Sequence, residues 1–314
     1  MNSRAGIRLV EGRLEEPDAR RYADFESSFF YPLGPGADFR ISHGEDPLRY
    51  FRSLGPAAMA LVESENSILG TISAAVVSLT TPDGARVPAA YFGNLKVRRD
   101  ARGRFVLARL LRAIWRWSSP RTDAAFAVVM NGSAVTPEAY TGRGGILPPF
   151  RPAAHCGYLR LLTASARESE SCEVDDERGA RLFERLARPA FRMEPKDPAA
   201  RSSIEPFWLA LPDGSACARV EDTRAAKKLF RENGGEIVSA HVSRLAYASP
   251  GSARRIVEAA RATARRRGYE GIFSYWPDEF PWTGDPACVE STPGLSVWTH
   301  GLPNGPWRLW SSEL

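Results

Sequence analysis

The sequence has no long apolar run and only a few cysteines and histidines. No stretch reaches the roughly 20 apolar residues that a membrane-spanning helix needs. The N-terminal residues lack the apolar segment of a secretory signal, so we expect a cytoplasmic protein with no membrane partner. The four cysteines form no CxxC pair, and the four histidines show no HxH or HExxH spacing. We therefore expect reduced thiols and no bound metal.

Lysine is scarce, whereas arginine is abundant. Of the 42 basic residues only four are lysine, and the 38 arginines are spread along the chain and mixed with acidic residues. A net charge of +5 permits a nucleic-acid partner, but this dispersal favours solvated surfaces and argues against one. Residues 96–116 differ, because they contain eight basic residues and a single acidic one, Asp100. We expect an anion-binding site in that segment.

Length and composition predict two folded units. The chain has 314 residues, of which 43% are hydrophobic, and a domain typically has about 100–200 residues. A polar, acidic stretch over residues 164–176 has the composition of a linker. We predict an N-terminal domain over residues 1–165 and a C-terminal domain over residues 175–314. Both show the same order of paired strands, long strand, loop, amphipathic helix and apolar strand, which indicates an internal repeat.

Local patterns predict further elements. Helical spacing of apolar residues favours a helix over Asp18–Phe30, and the proline and glycine residues at 32–36 predict a break after it. We expect a short helix over Asn131–Tyr140, a loop over Gly142–Pro152, and a helix near Ser252 with Ser249 as its N-cap. The aromatic residues after the first helix form either a core face or the wall of a substrate pocket. They are Phe25, Phe29, Phe30 and Tyr31.

The segment with the clearest chemical signal is a strand, a basic loop and a helix. An apolar strand over Ala89–Val97 is followed by the loop and by an amphipathic helix over Phe105–Trp117. Amides at a helix N-terminus attract anions, and Gly103 permits close approach of the backbone. Four loop arginines add positive charge: Arg98, Arg99, Arg102 and Arg104. The segment either binds a phosphate or pyrophosphate, or is an ordinary turn with solvated arginines.

This segment resembles the signature of the GNAT superfamily of acyl-CoA N-acyltransferases. The similar residues are Val97 at the strand end, Arg102-Gly103-Arg104 at the helix start, and the pair Leu110-Leu111. Asn131-Gly132-Ser133-Ala134 resembles the family's N-x-x-A after the next strand, and Tyr140 lies where many members carry a tyrosine. The chain departs from the pattern where the family's second and third glycines would fall, because Phe105 and Leu107 stand there.

The resemblance implies a fold. It is an α/β (α+β) tandem GNAT-like fold of two modules, each with a central mixed, mostly antiparallel sheet flanked by helices. The first module would carry the acyl-CoA site. The second lacks the Arg-Gly signature, so we expect no cofactor there.

The resemblance also implies a site. The main chain of Leu95, Lys96 and Val97 would pair with the pantetheine arm of acetyl-CoA or a longer acyl-CoA. The pyrophosphate would lie on the amides of Arg102, Gly103, Arg104, Phe105, Val106 and Leu107. Asn131 would contact the pantetheine or order the separation of the fourth and fifth strands. A main-chain N–H near Leu95 or Val97 would polarise the thioester carbonyl. Tyr140 would protonate the departing thiolate, or is a packing tyrosine in a short helix.

The favoured function is transfer of an acyl group to a primary amine of a small molecule, peptide or protein. Two alternatives remain: a tRNA-dependent aminoacyl ligase on the same double fold, and a non-catalytic acyl-CoA-binding or interaction protein, which the missing glycines favour. No general base stands out. The carboxylates considered are expected to be solvated surface groups: Glu26, Glu63, Glu65 and Glu138.

Overall fold

The computed structural model describes residues 6–34, 37–65, 67–103, 105–131, 133, 135–142, 147–167, 171–276, 282–291 and 294–314. The strands of the first half are β1 (Gly6–Val10), β2 (Tyr31–Gly34), β3 (Ala37–Ser42), β4 (Ala57–Ser64), β5 (Ser67–Thr80), β6 (Arg86–Val97), β7 (Ala125–Met130) and β8 (Arg151–Leu162). Its helices are α1 (Asp18–Ser27), α2 (Arg49–Leu54), α3 (Val106–Ser118) and α4 (Pro137–Tyr140).

The second half adds nine strands and two helices within the described residues. The strands are β9 (Cys172–Val174), β10 (Arg192–Glu194), β11 (Phe207–Ala210), β12 (Ala216–Glu221), β13 (Lys228–Arg231), β14 (Ser239–Tyr247), β15 (Gly271–Tyr275), β16 (Val289–Ser291) and β17 (Gly294–His300). The helices are α5 (Asp176–Leu186) and α6 (Pro250–Arg266).

One large sheet runs through the molecule. Its 14 strands include a continuous path in the order β1-β4-β5-β6-β7-β17-β8-β15-β14-β12-β11-β9, with β10 beside β5 and β16 beside β8. Among the described strands, only the pairs β6–β7 and β14–β15 are parallel. The sequence prediction of a mixed, mostly antiparallel sheet flanked by helices is confirmed.

The two halves share a strand order and exchange strands at the centre. The series β1, β4, β5, β6, β7 corresponds to β9, β11, β12, β14, β15. Between them, β17 from the second half pairs with β7 of the first, and β8 from the first half pairs with β15 of the second. The division into domains 1–165 and 175–314 stays a prediction, although strands from both sides of it alternate in one sheet.

Apolar packing covers both faces of the first half of the sheet. Helix α3 packs on one face through Leu110, Leu111 and Ile114, which the helical period predicted to be buried. Helices α1 and α2 pack on the opposite face, where Tyr22 and Phe51 join the core. Because helices cover both faces of the sheet, β6 has one face toward α3 and the other toward α1.

Four local expectations differ from the structure. The predicted break at residues 32–36 overlaps the end of β2 and lies directly before β3, with residues 35 and 36 outside the described part of the chain; β2 and β3 pair with each other and, through β3, with the distant β13. The predicted helix over Asn131–Tyr140 begins only at Pro137, because proline has no N–H and is tolerated in the first turn. The predicted linker contains strand β9, and the predicted loop over Gly142–Pro152 ends inside β8.

Candidate active site

Strands β6 and β7 pair over a short distance only. Their ladder consists of three residue pairs and ends where Phe92 lies beside Ala127. Beyond that point β6 continues to Val97 against β5, and β7 continues to Met130 against β17. The facing edges of the two strands therefore leave main-chain groups that no ladder between them satisfies. A molecule with an amide-containing arm could pair with such an edge.

A bulge interrupts β6 at this point. Ser73 of β5 lies opposite Gly93, and Thr71 lies opposite Lys96, so β6 has one extra residue in the interval. Asn94 in the bulge has a left-handed backbone, with φ of 54°. The bulge places the Asn94 and Lys96 side chains on the α1 face, where they bond Tyr22 and Glu26. Leu95, by contrast, packs with the α3-side cluster.

The start of α3 leaves amides without side-chain caps. The residue before the helix, Phe105, has a left-handed backbone with φ of 57° and provides no capping hydrogen bond. Gly103 has φ of 79°, and a Cβ added there would meet no atom within 4 Å. The amides of the first turn, which begins at Val106, thus meet the condition for anion binding. Arg104 lies outside the described residues.

The loop arginines are not all available to a ligand. Arg98 forms an ion pair with Asp100, with 2.7 Å between nitrogen and oxygen. Arg99 and Arg102 are exposed. Lys96 belongs to the basic segment in sequence only, because its ammonium is buried beneath β6. The charge of the segment at the helix start is therefore smaller than the sequence count suggests.

The two remaining predicted residues lie beyond β7. The Asn131 side chain accepts a hydrogen bond of 2.8 Å from the Ser296 hydroxyl, and its main-chain N–H donates to Gly294. Tyr140 packs on the same cluster as Leu95, on the α3 face. Burial raises the pKa of Tyr140 to about 12, so the phenol stays protonated at neutral pH. The structure thus places Leu95 and Tyr140 on one face of the sheet.

A buried polar cluster lies on the opposite face, and the sequence expectation for its central residue was wrong. Glu26 was expected to be a solvated carboxylate, yet its side chain is 2% exposed. It lies four residues after Tyr22 on the buried stripe of α1, so helical spacing could have located it. Glu65 and Glu138 are exposed as expected, and the half-buried Glu63 pairs with Arg8 and Arg21.

Glu26 is ionised within this cluster. Burial alone would raise the pKa of its carboxyl, but the Lys96 ammonium and the hydrogen bonds from His43 outweigh burial and lower it. One carboxylate oxygen accepts from Tyr22, His43 and Lys96, and the other accepts from the main-chain N–H of His43. Burial lowers the pKa of His43, so its imidazole is neutral at pH 7.

The described part of the chain contains no group of three or more His, Cys, Asp or Glu side chains that could hold a metal ion. The four cysteines are free thiols, of which Cys172 is exposed. Among the described helices, none combines the length and apolar character needed to cross a membrane.

The fold is similar to that of solved N-acyltransferase structures, as the resemblance to the GNAT superfamily implied. Saccharomyces cerevisiae N-myristoyltransferase with bound myristoyl-CoA matches with a TM-score of 0.64 over 98% of this chain and 84% of that chain, at 12% identity. A GCN5-related N-acetyltransferase from Kribbella flavida matches with a TM-score of 0.50 over 94% and 70%, at 16% identity. At these identities the likeness concerns the fold. No family model and no curated protein sequence matches the chain.

Proposed function

We propose that the protein is an N-acyltransferase that moves an acyl group from acyl-CoA to a primary amine by direct attack. The observation that carries the proposal is the parting of β6 and β7 beside the uncapped start of α3. An extended arm ending in a pyrophosphate fits this pair of features, because the arm finds main-chain partners and the anion finds amides. The fold shared with two N-acyltransferases supports the same class.

Each part of acyl-CoA has a partner in this proposal. The pantetheine arm pairs with the main chain of Leu95 to Val97, and Asn131 contacts it from the end of β7. The pyrophosphate lies on the amides between Arg102 and Leu107. The bulge at Asn94 supports this arrangement, since bulges free main-chain groups of a strand from their ladder.

The reaction proceeds without a covalent enzyme intermediate. The amine nitrogen attacks the thioester carbonyl carbon, and the main-chain N–H of Leu95 stabilises the developing oxyanion. The carbon–sulfur bond then breaks, the thiolate takes a proton from Tyr140, and the proton that the attacking nitrogen loses restores the Tyr140 phenol by way of solvent. The high pKa of Tyr140 ensures that its proton is present when the thiolate forms.

The second half holds no cofactor in this proposal. Its helix α6 corresponds to α3 in chain order, but Ser249 caps it and Ser252 bonds back to the Ser249 main chain. This capping box satisfies main-chain amides at the start of α6, whereas the equivalent amides of α3 have no side-chain cap. The second half instead supplies β17 to the edge of β7 and β13 to the small sheet over α1.

The proposal covers acetyl and longer acyl chains, so the test uses donors of both kinds. Calorimetric titration with CoA, acetyl-CoA and myristoyl-CoA should give saturable binding of at least one acyl-CoA. Gly103→Glu should abolish that binding, because it places a carboxylate beside the phosphates. Gly268→Glu is the matched control, since Gly268 also has a positive φ of 81° with no atom within 4 Å of an added Cβ.

The left-handed Phe105 in place of glycine favours a second candidate, a non-catalytic acyl-CoA-binding protein. Release of free CoA in the presence of amines separates the two. Binding without transfer to any amine would support the second candidate, and absence of binding would exclude both.

A further inference from the structure

The buried cluster beneath β6 contains one basic nitrogen that the cluster itself does not use. Glu26 at the end of α1 receives the His43 Nδ1 at 2.8 Å and the Lys96 Nζ at 3.0 Å. The side chains are nearly inaccessible, with exposed fractions of 4% for His43, 2% for Glu26 and 1% for Lys96. Burial of this kind requires that every charge be paired, and here one carboxylate pairs with one ammonium.

The hydrogen bonds determine which nitrogen of His43 carries the proton. An ionised carboxylate only accepts hydrogen bonds, so the Nδ1 that faces Glu26 must be the N–H donor. In a neutral ring the lone pair is then on Nε2. Among the described residues, Nε2 has no hydrogen-bond partner. The arrangement is a carboxylate–imidazole dyad, in which the carboxylate fixes the tautomer and leaves a basic nitrogen on the other side of the ring.

The dyad is joined directly to the bulge of β6. Lys96 and Asn94 flank Leu95, and both side chains end in the cluster: Lys96 bonds Glu26, and Asn94 donates to the Tyr22 hydroxyl at 2.7 Å. Lys96 also donates to the Asn94 side chain. The cluster therefore lies under the same bulge whose main chain is proposed to hold the thioester, on the face opposite α3.

The wall around this face comes from both halves of the chain. His43 directly follows β3, which pairs with β13 of the second half. A small apolar group of side chains joins this sheet to the end of β7: Phe39 and Ile237, with Tyr31, Ile41, Met130 and Leu229 packed against them. Apolar walls exclude water and strengthen a hydrogen bond or proton transfer inside them.

Resting on the proposed function, we propose that His43 is the general base of the reaction and that Glu26 and Lys96 are its positioning residues. As the amine nitrogen bonds to the carbonyl carbon, its proton passes to Nε2 of His43. The carbon–sulfur bond breaks, the thiolate takes a proton from Tyr140, and both side chains re-equilibrate with water. Acyl-CoA and amine give amide and free CoA, and no further reactant is needed.

Glu26 itself is a poor candidate for the base. Its oxygens already accept four hydrogen bonds, and its pKa is lowered. The other titratable and charged groups around His43 come from several elements: Tyr22 and Glu26 of α1, Tyr31 of β2, Tyr50 of α2, Lys96 of β6, and Lys227 before β13. Burial and the two lysines oppose protonation of the ring and lower its pKa, so Nε2 is unprotonated at neutral pH.

The decisive variant is His43→Asn. An asparagine amide can still donate to Glu26 in place of Nδ1 but offers no counterpart of Nε2. We expect kcat to fall by about 100-fold or more, within the range usual for loss of a general base, while acyl-CoA affinity and the thermal midpoint change little. The acidic limb of the wild-type pH profile, which reports protonation of His43, should disappear in the variant. His300→Asn is the matched control, since His300 lies at the far end of β17 and bonds only the Pro149 carbonyl.

Three results would overturn the proposal. Equal transfer rates in wild type and His43→Asn would exclude His43 as the general base and leave the proposed function intact. Failure of the wild type to bind acyl-CoA would exclude both the proposed function and the role of His43. If His43→Asn fails to fold, nitrogen-15 NMR of labelled histidine in the wild type decides: we expect a proton on Nδ1 and none on Nε2 at neutral pH, and the opposite tautomer would contradict the dyad.

Discussion

Two residues at the site have left-handed backbones, and they differ in how well they tolerate it. Asn94 has φ of 54° and Phe105 has φ of 57°. Asparagine adopts this region with little strain because its short polar side chain bonds locally, whereas an aromatic residue is strained there. Phe105 is also 80% exposed, so packing offsets little of that strain. Phe105 stands where the GNAT signature, which this segment resembles, has its second glycine.

Replacing Phe105 by glycine and by alanine separates backbone strain from loss of the ring. Both variants remove the phenyl group, but only glycine accepts a positive φ freely. We expect Phe105→Gly to have a free energy of unfolding about 1 kcal/mol higher than Phe105→Ala. Urea denaturation of the two variants measures the difference. An Ala variant that equals or exceeds the Gly variant would mean that the left-handed backbone at this position is wrong.

A local pattern in the sequence predicts the proposed cofactor side, whereas no local pattern predicts the buried polar cluster. Leu95 and Gly103 belong to one contiguous pattern of strand, loop and helix, which can be recognised without knowledge of distant contacts. The state of Glu26 depends on Lys96, which is 70 positions away in sequence. Burial of a carboxylate is uncommon, and only the three-dimensional pairing with a lysine reveals why it is tolerated here.

At the scale of elements, the two corresponding helices begin in opposite ways. Helix α6 begins with a reciprocal capping box between Ser249 and Ser252, as the N-cap expectation for Ser249 required. Helix α3 begins after Phe105 without a side-chain cap. The strands that precede them are alike, since β14 also carries a left-handed residue, Arg244, beside a shift in its register. The difference between the halves is therefore concentrated at the helix starts.

Removing the α6 cap should affect stability alone. The Ser249 hydroxyl accepts from the Ser252 main-chain N–H at 3.2 Å. We expect Ser249→Ala to lower the free energy of unfolding by about 1 kcal/mol, the usual effect of losing an N-cap side chain. Acyl-CoA affinity, measured by calorimetry, should be unchanged. A large loss of affinity at constant stability would contradict the assignment of the cofactor to the first half.

Elements with their own periodicity were predicted within a few residues, and elements that depend on distant pairing were not. Helix α3 and strand β5 have patterns that a local window contains. The segment of β2 and β3 reads as a break because of its proline and glycine residues. It forms strands because β3 pairs with β13, where Phe39 lies opposite Arg231. No local pattern carries that information.

At the scale of the whole molecule, the exchange of β8 and β17 makes the halves interdependent. A fragment of residues 1–165 would lack the neighbour that β17 provides to β7, and a fragment of residues 175–314 would lack the neighbour that β8 provides to β15. Each fragment would expose long unpaired strand edges.

We expect neither fragment to fold alone and the two to form a 1:1 complex when co-expressed. Circular dichroism and size-exclusion chromatography of the separate and combined fragments check this. A cooperative unfolding transition in either isolated fragment would show that the predicted domains are independent, contrary to the expectation from the exchanged strands.

The central position of β17 also has a consequence for the time course of folding. Met130 of β7 pairs with Leu295 of β17, so one edge of the proposed acyl-CoA site depends on a contact between very distant parts of the chain. Chains dominated by such contacts fold slowly, because a long loop must close before the contact stabilises it. During synthesis β7 emerges well before β17, so the β7 edge that pairs with β17 is unpaired until β17 is made. We expect aggregation of this protein to be most favourable before β17 is synthesised, because unpaired strand edges associate with other chains.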